Sequence, residues 1–305
     1  MKMSGLRVDV CANCGIESGD AVKLKDCTAC RLVKYCSVDC QRAHRKRHKK
    51  TCKQRAAELK DERLYGQGHE RPEGDFCPIC TLPIPMPIKN HSGFYICCMK
   101  RVCHGCVVAA AKRGIVDCPF CRTSAAALGD DALIPQLQKR ADAKDPTALE
   151  ALGEQYSYGK CGLEKDVPRA IELWSEAAGL GSQNAHFYLG IRYFEGDGVP
   201  RDAAKVVYHW EKAAMQGHVK ARHNLGSHEH RNGNYERAVR HWLISAKMGC
   251  EKSLESMKGM FVGGIATKQQ YTDALKGYQI ALEEVKSLDR DVAVEEIASL
   301  KFTAG

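Results

Sequence analysis

Fifteen of the chain's 17 cysteines fall between Cys11 and Cys121, most of them in C-x-x-C pairs. Such a pair puts two sulfurs on one side of a tight turn, the arrangement that tetrahedral metal sites use. Met1 to Val10 hold no apolar run of signal-peptide length, and nowhere is there a stretch near the roughly 20 apolar residues of a membrane span. The chain is therefore expected in the cytosol or nucleus, where thiols stay reduced and clustered cysteines bind metal instead of forming disulfides. No contact with a membrane is expected.

The first cluster reads Cys11-x2-Cys14, Cys27-x2-Cys30, Cys36-x3-Cys40 and His48-x3-Cys52, eight ligands and so enough for two tetrahedral ions. These 42 residues hold few large apolar side chains and cannot bury enough surface to fold unaided. A structural zinc contributes about 10–16 kcal/mol in finger peptides, so the metal would serve as the core. Ser37 is placed to cap a helix over VDCQRAHRKRHKK, in which Cys36, Cys40, His44, His48 and Cys52 recur every fourth residue. Were that helix continuous, the Cys36/Cys40 and His48/Cys52 pairs would point about 120° apart and serve different ions. The run YCSVDCQRAHRKRHKKTC and the spacing of all eight ligands closely resemble the MYND zinc finger. The HIT-type finger is spaced similarly, but Gln41 and the two histidines fit the MYND pattern better. This resemblance implies interleaved sites, with Cys11, Cys14, Cys36 and Cys40 on one zinc and Cys27, Cys30, His48 and Cys52 on the other. His44 is left spare. It also implies proline-rich peptides of partner proteins as ligands.

The second cluster comprises Cys77-x2-Cys80, the adjacent Cys97 and Cys98, Cys103-x2-Cys106 and Cys118-x2-Cys121, again two sites' worth. With CPIC and CPFCR at its ends it resembles a RING finger. The cross-brace of that family implies Cys77, Cys80, Cys103 and Cys106 on one zinc, and Cys97, Cys98, Cys118 and Cys121 on the other. Lys100 stands where the common pattern has a histidine, and an ammonium group cannot ligate zinc. Either both adjacent cysteines complete the site or His104 does. RING ubiquitin ligases have no nucleophile of their own; they dock a charged conjugating enzyme and hold its thioester in a reactive pose. The resemblance puts Ile79 and Pro119 in the apolar contact and Arg122 as the cation that closes on the conjugate.

Formal charge does not add a function here. Residues 1–60 carry 15 Lys or Arg against 6 Asp or Glu, which accounts for the whole +9. Fifteen thiolates with four zinc ions would shift that charge by about −7, so much of the excess is expected to neutralise the clusters. The basic run Arg42 to Lys50 also suits a nuclear signal or a phosphate-contacting face. It lacks interleaved aromatics for base stacking, and nucleic acid is not an expected partner.

The second half repeats itself. Leu152-Gly153, Leu189-Gly190 and Leu225-Gly226 recur at 37 and 36 residues, and the only tryptophans, Trp174, Trp210 and Trp242, at 36 and 32. Each unit reads as a pair of amphipathic helices, with small Gly/Ala positions for close approach and aromatics filling the space between hairpins. The consensus resembles the Sel-one-like repeat, a relative of the tetratricopeptide unit, and so implies a concave surface that binds peptides or proteins. A fourth hairpin from about Ser253, with Tyr278 in place of Trp, closes the array. Cys161 and Cys250 lack partners and are expected to be small packing residues, and the repeat histidines to serve packing rather than metal.

The expected architecture is mostly α: two small zinc-stabilised modules followed by an α-solenoid of helical hairpins. Its parts are a tail (1–10), the MYND-like finger (11–52), a charged tether (53–75), the RING-like finger (76–123), a linker helix (124–145), the repeats (146–287) and a C-terminal tail (288–305). The functional expectation is a zinc-binding adaptor, either a RING-type ubiquitin ligase or ligase component, or a scaffold or transcriptional co-regulator without enzymatic activity.

Overall fold

The structure is a computed structural model and describes residues 9–124 and 133–303. The chain divides after Gly66 into two compact units.

In the first unit, β1 (Lys25–Asp26) pairs antiparallel with β2 (Lys34–Tyr35), with Lys25 opposite Tyr35. Helix α1 follows at Val38–Gly66. Ser37 caps it as expected, its Oγ accepting from the Cys40 N–H at 3.2 Å. Cys36 thus lies outside the helix and is aimed by the preceding strand. The helix runs 29 residues without a Gly or Pro until Gly66, and so continues through the first part of the segment read as a tether.

The second unit begins with an extended stretch laid against the repeats. A side chain at Gly68 would put its Cβ 1.9 Å from the Ala214 carbonyl oxygen, and one at Gly217 would put it 2.1 Å from that of Glu70. Arg222, 1% exposed, donates to the carbonyls of Gln67 (2.6 Å) and Ala214 (2.8 Å). Residues 67–72 are therefore fixed by backbone packing instead of hanging as a tether. Strands β3 (Ser92–Tyr95) and β4 (Lys100–Cys103) form an antiparallel hairpin, with Ser92 opposite Cys103, and lead into α2 (His104–Lys112). Ile84 and Val102, both 0% exposed, join Cys77, Cys103 and Cys106 in the small core of this module.

Helix α3 (Leu133–Asp142) packs on the first repeat through Leu137 and Ala141. The start of the segment read as a linker helix, 125–132, lies outside the described residues. The hairpins are α4 (Pro146–Tyr158) with α5 (Val167–Gly179), α6 (Gln183–Glu195) with α7 (Ala203–Met215), α8 (Val219–Arg231) with α9 (Tyr235–Lys247), and α10 (Glu251–Val262) with α11 (Lys268–Glu284). Side chains cap helix after helix: Asp145 for α4, Asp166 for α5, Ser182 for α6 and Asp202 for α7, each accepting from a backbone N–H of the first turn. Residues from Leu288 form a separate helix, α12 (Leu288–Thr303), that packs on α2 rather than extending α11.

The Leu-Gly pairs and tryptophans meet inside each hairpin. A Cβ on Gly153 would fall 2.6 Å from Trp174 Nε1, on Gly190 2.3 Å from Trp210, and on Gly226 2.6 Å from Trp242. The indole thus lies on the bare backbone of its partner helix, and only then reaches the next hairpin, as where Trp174 stacks on Tyr188 at 4.9 Å. Changing Gly190 to Ala forces the Trp210 ring out of its seat. The expected cost is about 1–3 kcal/mol, read as a lower denaturant midpoint. Of the two unpaired cysteines, Cys250 is buried as expected, but Cys161 is exposed, because the left-handed turn after α4 (φ 55°) turns it outward.

Candidate metal centres

Four C-x-x-C pairs share one turn. The carbonyl of the first cysteine accepts from the residue after the second: Gly15 to Cys11 (2.9 Å), Arg31 to Cys27 (2.9 Å), Thr81 to Cys77 (2.8 Å) and Arg122 to Cys118 (3.0 Å). The donor residue is left-handed each time, with φ of 77°, 55°, 59° and 61°. Three of the four are not glycine, a backbone cost that persists because the surrounding turn holds it. The turn brings both sulfurs to one side. Met99, just after Cys98, is likewise left-handed (φ 55°), and that bend at the β3–β4 tip lets two adjacent cysteines face the same point.

The ligand atoms gather in four groups, each with its atoms within 4.8 Å of one another: Cys11, Cys14, Cys36 and Cys40; Cys27, Cys30, His48 and Cys52; Cys77, Cys80, Cys103 and Cys106; Cys97, Cys98, Cys118 and Cys121. These groups bring together the same residues that the two finger resemblances imply. Sulfurs around a tetrahedral zinc at about 2.3 Å lie about 3.8 Å apart. The separations are 3.6 Å for Cys14–Cys36, 3.8 Å for Cys27–Cys52, 3.8 Å for Cys80–Cys103 and 3.9 Å for Cys98–Cys118. Donor type, number and spacing all fit zinc in a structural role, with no ligand position left open for chemistry. Cys97 and Cys98 both belong to the fourth group, and His104 belongs to none.

His48 presents Nε2, 3.1 Å from Cys30 Sγ. The spare His44 supports it: its ring stacks on His48 (5.6 Å between centroids) and its Nδ1 is 3.1 Å from the Tyr35 hydroxyl. Sequence reasoning missed the groups that touch the sulfurs from outside. Asn13 Nδ2 donates to Cys40 Sγ (3.5 Å), the Cys103 N–H to Cys77 Sγ (3.5 Å), and Arg290 Nη2 to Cys80 Sγ (3.4 Å). Asn13 sits within its own knuckle and a polar residue there is a local signal; Arg290 has none.

Without metal the thiols of one group ionise very unequally. The hydrogen bond with Cys103 holds Cys77 down to about 4, and the Thr123 hydroxyl holds Cys121 down to about 6. Burial pushes Cys106 up to about 12, and hydrogen bonding to Cys40 pushes Cys36 up to about 12. Each group holds at least one thiol below its ordinary range, Cys11, Cys27, Cys77 and Cys121, and the others give up protons as a cation binds.

Of the residues placed on a conjugating enzyme, Ile79 is 42% exposed and Arg122 is exposed. Pro119 is buried, so the apolar side chain offered by that knuckle is Phe120, 41% exposed. Between the β3–β4 hairpin, the first knuckle at Pro78 and Thr81, and the inner side of α4 and α6 lies a cavity of about 1130 Å³. Its wall includes Glu150, which burial pushes up to about 7 and which accepts from Ser182 (3.1 Å) and Asn184 (3.0 Å). Arg101 and Lys220 face the same space.

Fold and clusters together define a zinc-finger protein with a helical repeat array. Residues 11–52 are a MYND finger, and residues 146–182, 183–218 and 219–250 are three Sel1 repeats. The chain is 32% identical over 108 residues to chitin synthase regulatory factor 4 of Schizosaccharomyces pombe, covering 35% of this chain and 17% of that protein. It is 34% identical over 77 residues to the ERAD-associated E3 ubiquitin-protein ligase component HRD3B of Arabidopsis thaliana, covering 25% and 13%. The chain thus spans less than a fifth of the curated relatives it matches. Among solved structures it is similar to a Sel1 repeat protein from Oxalobacter formigenes, with 21% identity, TM-score 0.45, and coverage of 65% of this chain and 76% of that one. MYND fingers and Sel1 repeats generally mediate contacts between proteins, and their presence supports a zinc-binding, protein-interaction role for the chain. Among the described residues no helix is long and apolar enough to cross a membrane.

Proposed function

We propose that the sixteen clustered Cys and His residues ligate four zinc ions, and that the module of residues 77–121 is a RING-like finger that recruits a ubiquitin-conjugating enzyme. The observation that carries this reading is the two-sidedness of the module. Its hairpin tip packs on the array, with the half-buried Ile96 and Met99 against the first hairpin's core, while Ile79, Phe120 and Arg122 remain exposed on the knuckles. Two exposed apolar side chains and an exposed cation on the same module suit a surface that holds a conjugate in place, and positioning is the whole of the catalysis such a module supplies. The client would be held by the MYND finger, as a proline-rich segment, or as a peptide in the cavity beside Glu150 and Arg101. The cytosol or nucleus suits such thiolate sites, being reducing.

A non-enzymatic scaffold is the second reading, favoured by Lys100 in the usual histidine position and by the burial of Pro119. An autoubiquitination assay of the zinc-loaded chain against a panel of conjugating enzymes separates the two. Chain formation is expected, with Ile79→Ala and Arg122→Ala each reducing it about tenfold or more, as centrally placed contact residues do. Silence across the panel, with four zincs per chain confirmed, would leave the scaffold.

A further inference from the structure

Each zinc centre of the second module is touched by one end of the repeat array. At the C-terminal end, Arg290 of α12 is 8% exposed. Its Nη2 donates to Cys80 Sγ (3.4 Å) and the Leu82 carbonyl (3.3 Å), its Nη1 to the carbonyls of Pro83 (2.7 Å) and Val285 (2.6 Å). One guanidinium thus grips the knuckle and the end of α11 together. Around it α12 lies flush on α2: a Cβ on Gly105 would be 2.8 Å from the Arg290 backbone nitrogen, Ala293 is 1% exposed, and Lys112 pairs with Glu296 at 2.6 Å. At the N-terminal end, Arg140 of α3 donates from Nη2 to the Cys97 carbonyl at 2.8 Å, and Ile96 and Met99 pack against the core cluster that includes Leu137.

Four thiolates around Zn2+ carry a net charge of −2, so a buried guanidinium against one sulfur is compensated only while the metal site is assembled. The Leu82 and Pro83 carbonyls, too, are presented by the turn that the metal ties. We propose that the second zinc module is a metal-dependent clasp for the array, with α12 held through Arg290 at the Cys77, Cys80, Cys103 and Cys106 site and α3 held through Arg140 at the Cys97, Cys98, Cys118 and Cys121 site. Zinc binding and docking of the array's ends are then linked, and linkage is reciprocal. Metal strengthens the docking of α12, and α12 strengthens the retention of metal by the same factor. Loss of zinc opens the cavity between module and repeats.

The test uses the full chain and does not depend on ligase activity. Hydrogen exchange is followed with and without chelator. Stripping zinc is expected to speed exchange in residues 288–298 about tenfold or more, while α6 to α9 keep their protection. In the zinc-loaded Arg290→Met variant, α12 is expected to exchange faster, and one of the four zincs to pass to a chromophoric chelator about tenfold sooner, the usual scale for loss of a group supporting a ligand. Arg290→Lys should restore part of both. In cobalt-loaded protein, Arg290→Met or Arg290→Lys should shift the sulfur-to-cobalt charge-transfer band, which mere loosening of a distant helix leaves in place. Unchanged exchange of α12 after stripping would overturn the proposal. So would an Arg290→Met chain that frees α12 yet releases all four zincs at the wild-type rate with an unshifted cobalt band. Should Arg290→Met not fold, the cobalt band and zinc release of Arg290→Lys decide on the same criteria.

Discussion

Replacing Cys103 with alanine is expected to take the zinc content from about four ions per chain to three or fewer and to unfold residues 77–112. Cys103 is 1% exposed, ends β4 and precedes α2, so its sulfur joins the hairpin to the helix. Its N–H also holds Cys77 Sγ. Without metal the apolar cluster around it is reduced to Cys77, Ile84, Val102 and Cys106 with a few half-buried neighbours. Such a core cannot replace a contribution of about 10–16 kcal/mol when whole domains are stable by about 5–15. Plasma emission on the purified chain measures the zinc, and hydrogen exchange locates the unfolding. Cys161→Ala serves as control, since Cys161 is exposed and belongs to none of the four groups. Four zincs in Cys103→Ala would remove Cys103 from the ligands.

A second large effect is expected at Trp174. Its side chain is 0% exposed, lies on the bare backbone of Gly153, stacks on Tyr188 and donates to the Glu150 carbonyl at 3.2 Å. Truncation to alanine leaves a cavity between two helices whose glycine was selected to receive a ring, and nothing nearby can fill it without moving α4. The expected loss is about 3–5 kcal/mol, measured from the denaturant midpoint at unchanged slope. Because α3 packs on this same core through Leu137, the loss should also speed exchange in α3. A change below about 1 kcal/mol would mean that the hairpin closes without the indole.

What could be read in the sequence was whatever is local or periodic. A C-x-x-C pair states its own geometry, because the turn that joins the sulfurs is made by the residues between and just after them. The 36-residue period shows the hairpins because each Leu-Gly and each Trp recurs where its partner helix needs it. The grouping of pairs into centres was another matter: it came from resemblance to known fingers, since spacing alone does not say which pairs cross. Contacts distant along the chain left no trace. Arg290 and Cys80 are 210 residues apart, and Arg140 and Cys97 are 43, with nothing in composition or period to connect them. The polar stretch after Ser287 looked like a fraying end because its few apolar residues say nothing of what they cover. The segment 67–72 looked like a tether because its order rests on Gly68 and Gly217 meeting other backbone, and glycines in charged sequence read as flexibility.

An open stack of hairpins can gain or lose a unit in the course of evolution, since a new hairpin needs only the faces of its neighbours. Here the first and last helices both return to one small module, whose two metal centres stand at a fixed separation. One more 36-residue unit would carry Arg290 away from Cys80 or Arg140 away from Cys97. If the clasp holds, the number of repeats is tied to the spacing of the two knuckles that the arginines grip, and lineages that keep both arginines should keep the count.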